Sequence, residues 1–447
     1  MTSTNQSLHN KTHYKTQTVL GIDVGTSGIR AAIVAYNGQS SQLRFTAEVA
    51  MAFPNRDGVH SEQSPCVWMD ALTKLFDKLS QQPECQDIDQ CIVDATSSTV
   101  LLCDSDGTPL TDALMYDDQS AQIEATRIAQ IAPNHTGAQG ASSTLSKVMK
   151  LEAALKARQQ QPTHYHICHQ IDFINHFLTG TLGVTDENNA LKLGYDSLNQ
   201  QWPQWLKPLL DTPLPKVVAP GTEIGQIRPG LAKMVGFNPK MKVLSGTTDS
   251  IAAFLAAGAT QIGDAVVSLG SSLAIKVLTE QPIFAPEYGI YSHKLKSNWL
   301  VGGASNSGGA VLLNYFSLQA LKTLLPQIDI HAPTQLNYYP LLTPGERFPI
   351  ADANLQPQLS PRPKDEVVFC QAIIEGLVNI EALCFERLSE LGAPTIRQII
   401  SCGGGVKNPV WMKLRQSQLK APVSIAEQTD AAFGVTRLAV LSMEPLD

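Results

Sequence analysis

The sequence predicts an α/β protein made of two related domains. Strand-like apolar runs alternate with helical patterns along the chain, and this alternation favours layers of strands and helices. A motif of strand, glycine-hydroxyl turn and strand occurs twice, with its first glycine at Gly25 and at Gly270. The two copies lie about half of the 447-residue chain apart. That separation indicates two domains, each of which offers one such turn to a shared cleft.

Length and composition agree with this organisation. At roughly 150 residues per domain, the chain exceeds one ordinary core and favours two or three domains. Hydrophobic residues make up 43% and charged residues 16%, which is a globular balance. The 40 acidic residues exceed the 33 basic ones, so the net charge is −7. Without a dense basic run, this charge argues against nucleic acid or an anionic membrane as a partner, but backbone N–H groups can still bind a phosphorylated ligand.

The first residues and the cysteines predict a cytoplasmic protein. Residues 1–17 are polar and lack an apolar core, so they predict a disordered tail rather than a secretory signal. No apolar run reaches the roughly 18 residues needed to span a bilayer. Eight cysteines at irregular spacing, without a Cys-x-x-Cys pair, indicate reduced thiols rather than disulfides or zinc ligands.

The first copy of the motif predicts a β-hairpin that handles phosphate. Apolar runs over 19–24 and 29–36 flank the turn Gly25-Thr26-Ser27-Gly28. Glycine and small hydroxyl residues leave backbone N–H groups open to phosphate oxygens. Asp23 ends the first strand, where its carboxylate would repel phosphate unless a divalent cation lay between them. Asp23 therefore predicts a Mg²⁺ site, through water, with an Asx turn that only closes the hairpin as the alternative.

The second copy repeats this arrangement at Gly270-Ser271-Ser272, between apolar runs over 265–269 and 273–278. A single hairpin of this kind is weak evidence for a ligand site. Because the same turn occurs in both halves of the chain, the phosphate interpretation becomes the stronger one.

The domain boundary is predicted at 239–240. Residues 203–239 are rich in Pro and Gly and lack helical periodicity, and a new strand starts at Met241. The predicted domains are therefore 18–239 and 240–447. The second would begin with this strand and a small-residue helix over 251–257, which Thr and Asp residues precede as good N-caps.

Asp249 follows Gly246-Thr247-Thr248 at this strand-to-helix junction and has two open interpretations. As a structural residue it would cap the helix, a common use of Asp. As a catalytic residue it would be a general base that takes the proton of an alcohol while the oxygen attacks phosphorus.

The last part of the chain predicts a long helix over 369–391, where apolar residues keep helical spacing, and a strand over 399–402. The glycine run Gly403-Gly404-Gly405 follows this strand. Such a run lets backbone approach a flat ring or a phosphate closely, although it lacks the spacing of the common nucleotide motifs.

Three further segments allow both a chemical and a plain structural interpretation. The polar residues over 94–99 suit sugar hydroxyls, but a turn is an equal alternative. His164, His166 and Cys168 would share one face of a strand, and an ordinary surface strand is favoured over a metal site. Asp117 and Asp118 are adjacent, so their carboxylates should diverge; one of them binding a polyol is favoured over a glycosidase pair.

Together these segments resemble the FGGY carbohydrate kinases of the actin-like ATPase superfamily, over about residues 19–441. The segments 21–27 and 263–272 are similar to the family's two phosphate motifs, 401–408 to its adenosine motif, and 246–249 to the segment with its catalytic aspartate. The resemblance implies two actin-like ATPase (ribonuclease H-like) domains with a cleft between them. It also implies a monomeric or homodimeric sugar kinase whose small-molecule partners are a sugar and ATP, with Mg²⁺.

The resemblance also implies residue roles. Asp23, Thr26 and Ser27 would handle phosphate, metal and sugar at the floor of the cleft, Ser97 would contact the sugar, and Asp249 would be the base. The adenine nucleotide would be held by Gly404, Gly405, Asn408 and Trp411, and its phosphates also by Gly270, Ser271 and Ser272.

Within the family, the closer likeness is to the short D-ribulose kinases. The similar segments are 94–104, 189–195, 246–254, 291–295 and 345–352. Xylulose kinases carry a Met-His pair near Ser98-Thr99, so the resemblance implies D-ribulose, phosphorylated at O5, more strongly than D-xylulose. Another sugar or polyol, or a non-catalytic actin-like ATPase, remains an alternative.

Overall fold

The computed structural model describes residues 16–38, 40–158 and 164–441. The predicted tail over 1–17 lies outside the described residues except for its last two, and of these Gln17 already begins a strand.

In chain order the strands are β1 Gln17–Val24, β2 Gly28–Asn37, β3 Ser40–Ala50, β4 Asn55–Asp57, β5 His60–Gln63, β6 Gln90–Ala95, β7 Val100–Asp104, β8 Ala113–Leu114, β9 Tyr165–His169, β10 Val184–Asp186, β11 Lys216–Val218, β12 Glu223–Gln226, β13 Lys242–Thr248, β14 Asp264–Leu269, β15 Leu273–Thr279, β16 Tyr291–Leu295, β17 Asn298–Ala304, β18 Gln398–Cys402 and β19 Val423–Ile425. The α-helices are α1 Pro65–Leu79, α2 Gln122–Ile131, α3 Thr144–Ala157, α4 Gln170–Thr179, α5 Glu187–Ala190, α6 Pro229–Val235, α7 Asp249–Ala256, α8 Gly309–Tyr315, α9 Leu318–Leu324, α10 Glu366–Glu390, α11 Pro409–Gln418 and α12 Ala431–Val440. Short 3₁₀ helices span Pro83–Asp87, Leu191–Leu193, Gln204–Leu209, Pro286–Tyr288, Leu325–Gln327 and Gly404–Lys407.

The first large sheet has the strand order β12-β13-β6-β1-β2-β3. Strands β1 and β2 form the first predicted hairpin, which is confirmed, and β1, β6 and β13 run parallel to one another. Apolar side chains of these strands pack with α1 and α4 in one core, in which Trp68 and Phe173 meet edge to face. Since parallel neighbours end at the same edge of a sheet, the residues that follow β1, β6 and β13 come together.

The second large sheet has the order β16-β17-β15-β14-β18-β19. Its β14 and β15 form the second predicted hairpin, also confirmed, and β14 runs parallel to β18. The two sheets therefore share a design in which an antiparallel hairpin lies beside a parallel strand. A separate core covers this sheet with α10 and α11.

Two helices join the two sheets. Helices α7 and α12 pack together in a third apolar cluster with Val19 and Ile92 of the first sheet and Val266 and Ile400 of the second. The helices lie so close that a Cβ on Gly434 would be 1.9 Å from the carbonyl oxygen of Ala252. This contact requires glycine, because no side chain fits between the two backbones.

Strand β13 belongs to the first sheet, although the sequence interpretation made it the start of the second domain. It pairs with β6 on one side and with β12 on the other. The Pro- and Gly-rich stretch before it indicated a linker, but long-range pairing with β6 decides where the strand lies. We therefore propose that the domain boundary follows α7 rather than lying at 239–240.

The predicted helix over 369–391 is confirmed, and α10 begins three residues earlier, at Glu366, where the side chain of Asp365 accepts a hydrogen bond from the N–H of Val367. This helix is long and apolar enough to cross a membrane, but 72% of its apolar window is buried inside the fold, as in the core helix of a globular protein.

The predicted strand with His166 and Cys168 exists as β9, which pairs with β7 in a smaller antiparallel sheet. It is not the expected surface strand, because its last three residues are buried in the fold. Within the described ranges, no group of three or more His, Cys, Asp or Glu residues is arranged to hold a metal ion. The metal alternative for this segment therefore has no support.

Candidate active site

Three carboxylates meet at the carboxyl ends of the parallel strands of the first sheet. Asp23 lies near the end of β1, Asp94 near the end of β6, and Asp249 directly after β13. The register pairs Asp23 with Asp94, and Asp94 with Thr247. In open α/β sheets, ligands bind outside this edge. The structure thus brings the predicted Asp23 and Asp249 together and adds Asp94, which the sequence showed only as the start of a polar segment.

Asp23 is nearly buried and has one cationic partner. Its carboxylate lies 3.2 Å from a guanidinium nitrogen of Arg30, which also contacts Glu48 at 3.0 Å. Burial and, to a smaller extent, the charge of Asp249 raise the pKa of Asp23 to about 6, although Arg30 opposes the shift. The carboxylate is therefore held where a cation that enters the site would stabilise its ionised form.

Asp94 is fully buried, and among the residues that the structure describes neither a nitrogen nor a hydroxyl donor reaches its carboxylate oxygens. Burial, followed by the charges of Asp23 and Asp249, raises the pKa of Asp94 well above the ordinary value. A protonated Asp94 can donate a hydrogen bond to Asp23, which would keep Asp23 in its ionised form. Asp94 thus acts as a support for Asp23.

The two glycine-hydroxyl turns present small residues at the surface of the cleft. In the first, the N–H of Gly25 donates to the carbonyl oxygen of Gly28 at 3.0 Å, and Thr26 and Ser27 lie at its partly exposed tip. In the second, Ser271 and Ser272 are exposed. These are the properties expected of turns that receive phosphate oxygens.

The second turn rests on the start of α8. The N–H groups of Gly309 and Ala310 donate to the carbonyl oxygens of Gly270 and Ser271, at 2.9 and 3.1 Å. A Cβ on Gly308 would lie 2.5 Å from the oxygen of Ser271 and 2.6 Å from the Cα of Ser272. The position of this turn therefore depends on a glycine that the sequence analysis did not single out.

Asp249 is the first residue of α7, and the N-cap position belongs to Thr248. Its Oδ1 accepts a hydrogen bond from the N–H of Ser250 at 2.6 Å. Burial raises the pKa of Asp249, while that N–H, Lys276 and Lys192 oppose the shift. A half-buried carboxylate whose proton affinity is raised suits a general base better than an exposed cap.

Lys276 and Lys192 act electrostatically on Asp249, and His293 lies near these two lysines. The sequence analysis missed all three as site residues. Burial lowers the pKa of Lys276 to about 8, and its Nζ donates to the carbonyl oxygen of Ser250 at 2.7 Å. Burial, together with Lys276 and Lys192, lowers the pKa of His293 to about 3, so this imidazole is neutral. Gly302 of β17 lies opposite Lys276 in register and leaves room for it, because a Cβ there would be 2.9 Å from Lys276 Cγ.

The loop with Ser97 directly follows β6, the strand that carries Asp94, and is held by buried hydrogen bonds. The Nζ of the fully buried Lys147 donates to the carbonyl oxygens of Ser98 and Met115, at 2.9 and 2.6 Å. Ser98 adopts a left-handed backbone (φ 72°), and its hydroxyl donates to the carbonyl oxygen of Ser142 at 2.8 Å. Ser97 is half-buried, so a fixed loop presents it to the cleft.

Asp117 and Asp118 diverge, as predicted. Asp118 is fully buried and accepts hydrogen bonds from the N–H of Ser61 and the hydroxyl of Ser120, at 2.8 and 2.7 Å. Asp117 pairs with Arg56 at 2.9 Å. Asp118 is therefore a structural residue here, and a polyol contact remains open only for Asp117.

The glycine run after β18 has Trp411 beneath it. Trp411 is fully buried, its Nε1 has no hydrogen-bond partner within the described part of the chain, and a Cβ on Gly405 would lie 2.7 Å from its ring. Asn408 caps α11, its Oδ1 accepting from the N–H groups of Val410 and Trp411. The indole thus supports the glycines from below and exposes no surface to a nucleotide, whereas a Cβ on Gly404 would meet no atom within 4 Å.

This difference gives a prediction with its own control. We expect Gly405→Ala to lower the melting temperature and raise the KM for ATP several-fold, because the new methyl group would press on Trp411 and Leu269. Gly404→Ala should leave the melting temperature unchanged, since its methyl group enters open space. Thermal unfolding and ATP titrations of both variants would check this, and equal melting temperatures would contradict it.

Comparisons with known proteins agree with the fold. Models of the N-terminal and C-terminal domains of the FGGY family of carbohydrate kinases match residues 18–256 and 265–443. A xylulose kinase of Bacillus subtilis (strain 168) is 24% identical over 450 residues, 94% of this chain and 87% of that protein. A gluconokinase of Bacillus licheniformis is 23% identical over 453 residues, 93% of this chain and 86% of that protein.

The solved structure of a xylulose kinase from Rhodospirillum rubrum is similar in fold, with a TM-score of 0.83 at 21% identity. The similarity covers 96% of this chain and 91% of that one. The predicted fold class, α/β with two actin-like domains and a cleft between them, is confirmed.

Proposed function

The chain belongs to the FGGY family of carbohydrate kinases, phosphotransferases with an alcohol group as acceptor, and within it we propose that it phosphorylates a ketopentose, D-ribulose at O5. The observation that carries the proposal is the position of Asp249. This half-buried carboxylate follows the parallel strand β13, beside Asp23 and across from the loop that presents Ser97. A sugar hydroxyl that meets Asp249 there would face the two phosphate turns.

In the proposed reaction, Asp249 accepts the proton of the sugar hydroxyl while the oxygen bonds to the γ-phosphorus of ATP. The bond from that phosphorus to the bridging oxygen breaks, and ADP leaves. Since the transition state of phosphoryl transfer is loose, holding the two substrates in line contributes more than the strength of the base. Backbone N–H groups of the turns at 25–28 and 270–272 would stabilise charge on the phosphoryl oxygens.

The other proposed contacts to the sugar and to ATP come from residues around Asp249, the two turns and the glycine run. We assign the sugar to Asp23, Ser27, Ser97 and Asp249, and the phosphates to Gly25, Thr26, Ser27, Gly270, Ser271 and Ser272. The adenosine would lie against Gly404 and Gly405. Asn408 would contribute by capping α11, and Trp411 by supporting the glycines from below.

Asp23 fits the role of a Mg²⁺ ligand. Mg²⁺ is commonly bound through one or two carboxylates with water and substrate phosphates, and needs no cage of protein ligands. Asp23 offers one such carboxylate beside the first phosphate turn, and Asp94 supports it from behind. When bound, the ion would neutralise charge on the phosphates of ATP.

We further propose a cytoplasmic enzyme that acts as a monomer or homodimer. Its net charge of −7 and its reduced cysteines support this location, and a sugar and ATP would be its partners rather than nucleic acid or a membrane.

D-Xylulose is the second candidate substrate, because relatives at 22–24% identity are named xylulose kinases. The polar segment over 94–99 supports D-ribulose instead, since it lacks the Met-His pair that the resemblance associates with D-xylulose.

A panel of sugars decides between them. The purified protein would be given Mg²⁺, ATP and, separately, D-ribulose, D-xylulose, L-ribulose, glycerol and gluconate, with ADP release and product identity as readouts. We expect the highest kcat/KM with D-ribulose and a 5-phosphate product. A higher value with D-xylulose or gluconate would overturn the proposed substrate, and ADP release that no sugar stimulates would overturn the proposed sugar site.

A further inference from the structure

Lys192 occupies a fixed position at the seam between the two sheets. It lies in the 3₁₀ helix Leu191–Leu193, whose two leucines are buried and which ends at Gly194 in a left-handed conformation (φ 107°). This short helix packs against α3 and α5, and α5 in turn contacts β13 of the first sheet and β16 of the second. The side chain of Lys192, between these two buried leucines, is itself half-buried.

The groups that face Lys192 come from four separate elements. They are Lys147 of α3, Asp249 at the start of α7, Lys276 of β15 and His293 of β16. Asp249 is the one acidic group among them. Lys192 therefore lies beside the proposed base, where the first domain meets the second.

The ammonium group of Lys192 makes no direct contact with a polar group in the described part of the chain. Among the described residues its Nζ makes no hydrogen bond and no ion pair, whereas Lys276 donates to Ser250 and Lys147 donates to two carbonyl oxygens. Burial lowers the pKa of Lys192, and Asp249 opposes this shift. Because an unpaired, partly desolvated charge is costly, a retained group of this kind indicates a partner that arrives with the substrates.

The chemistry of that partner follows from the charges around it. Asp249 by itself would repel a phosphoryl group that approaches the sugar hydroxyl. A neutral pentulose offers no charge that an ammonium group could match. The transferred phosphoryl, in contrast, spreads negative charge over three equatorial oxygens, and the product carries a phosphate beside Asp249. A lysine ammonium, compact and with three donors, suits such oxygens.

We propose that Lys192 donates hydrogen bonds to the oxygens of the phosphoryl group during its transfer and to the phosphate of the product. The inference rests on the proposed function of the same site. In this step the bond from phosphorus to the sugar oxygen forms, and the bond to the bridging oxygen of ADP breaks. The proton of the hydroxyl goes to Asp249, and Lys192 remains protonated throughout.

The test compares Lys192→Met and Lys192→Arg with the control Lys294→Met. Lys294 is also half-buried at this seam, but its ammonium lies over the ring of Trp299, 4.2 Å from the centroid. We expect Lys192→Met to lower kcat about 100-fold while the KM for the ketose changes less than about threefold, since a donor to the transition state is lost. Lys192→Arg should recover part of kcat, and Lys294→Met should stay close to the wild type.

Equilibrium binding provides a second readout. By calorimetry, Lys192→Met should weaken binding of D-ribulose 5-phosphate about tenfold or more and binding of D-ribulose much less. An equal loss for both ligands, or a normal kcat, would overturn the inference. Unchanged thermal unfolding would exclude misfolding. If Lys192→Met unfolds early, the same constants are read from Lys192→Ala, which removes the ammonium group without adding volume, and wild-type values for that variant would overturn the inference.

Kinetics of the wild-type protein alone decide whether D-ribulose is the substrate. If the sugar panel selects another acceptor, the same ratios are measured with that acceptor and its phosphate. The inference about Lys192 is then judged by the ratio of variant to wild type, and the choice of substrate by the wild type.

Discussion

Asp249→Asn is expected to lower kcat by about 10³-fold and to leave ATP binding nearly unchanged. The amide keeps the size of the side chain but cannot accept the hydroxyl proton, and a general base contributes typically about 10²–10⁴-fold. Asp249 also lies opposite Lys276 and Lys192, so its loss leaves two ammonium groups without their shared countercharge. Steady-state kinetics with the preferred sugar and calorimetric titration with ATP would measure the two effects, and Asp249→Ala should behave similarly.

Asp365→Asn is the matched control for this substitution. Asp365 is also a carboxylate at a helix N-terminus, but it caps α10 with a hydrogen bond from Val367, and asparagine caps equally well. We expect wild-type kinetics from this variant. Near-normal turnover of Asp249→Asn and Asp249→Ala, with the fold intact, would contradict the assignment of Asp249 as the base.

Gly308→Ala is expected to have the second large effect, a fall of about 10²-fold in kcat/KM for ATP. The added Cβ would lie 2.5 Å from the carbonyl oxygen of Ser271 and 2.6 Å from the Cα of Ser272. Both atoms belong to backbone, so the turn itself must move, and a misplacement of about 1 Å at a reactive site is sufficient for such a loss. Initial rates at varied ATP, with saturating sugar, would measure it.

Gly230→Ala is the control for Gly308→Ala, because both glycines lie at the N-terminus of an α-helix. Gly230 lies near the start of α6, and a Cβ there would meet no atom within 4 Å. Its kinetics should match the wild type, and its stability should be equal or slightly higher, because alanine favours helix. If Gly308→Ala kept the wild-type kcat/KM for ATP, the second turn would have no part in binding phosphate.

The two hairpins and the long helix were predictable because their signals are local. Apolar runs beside a glycine turn define a hairpin by themselves, and both copies pair as predicted. The apolar spacing of α10 likewise depends only on helical geometry. The repeated turn also indicated phosphate, since glycine and hydroxyl residues have few other reasons to recur at that position.

Asp94 could not be predicted in the same way. Its strand lies beside that of Asp23 because of parallel pairing between segments about 70 residues apart, and no local pattern encodes that register. The position of β13 could not be predicted for the same reason. Its sequence marks a strand, but only its pairing with β6 shows which sheet it joins.

The sequence by itself determined the family and the two hairpins, and it predicted their phosphate role and the candidate base, because each depends on residue types at short spacing. The tertiary structure decided which charges share the cleft. Lys192 and Lys276 come from elements far apart in the chain, yet both act on Asp249, and His293 lies near the two lysines. Helix α5 brings these elements together, because it contacts β13, β16 and the short helix that carries Lys192. Electrostatic fields depend on distance in space, so the partners of a catalytic carboxylate become visible only when the fold is known.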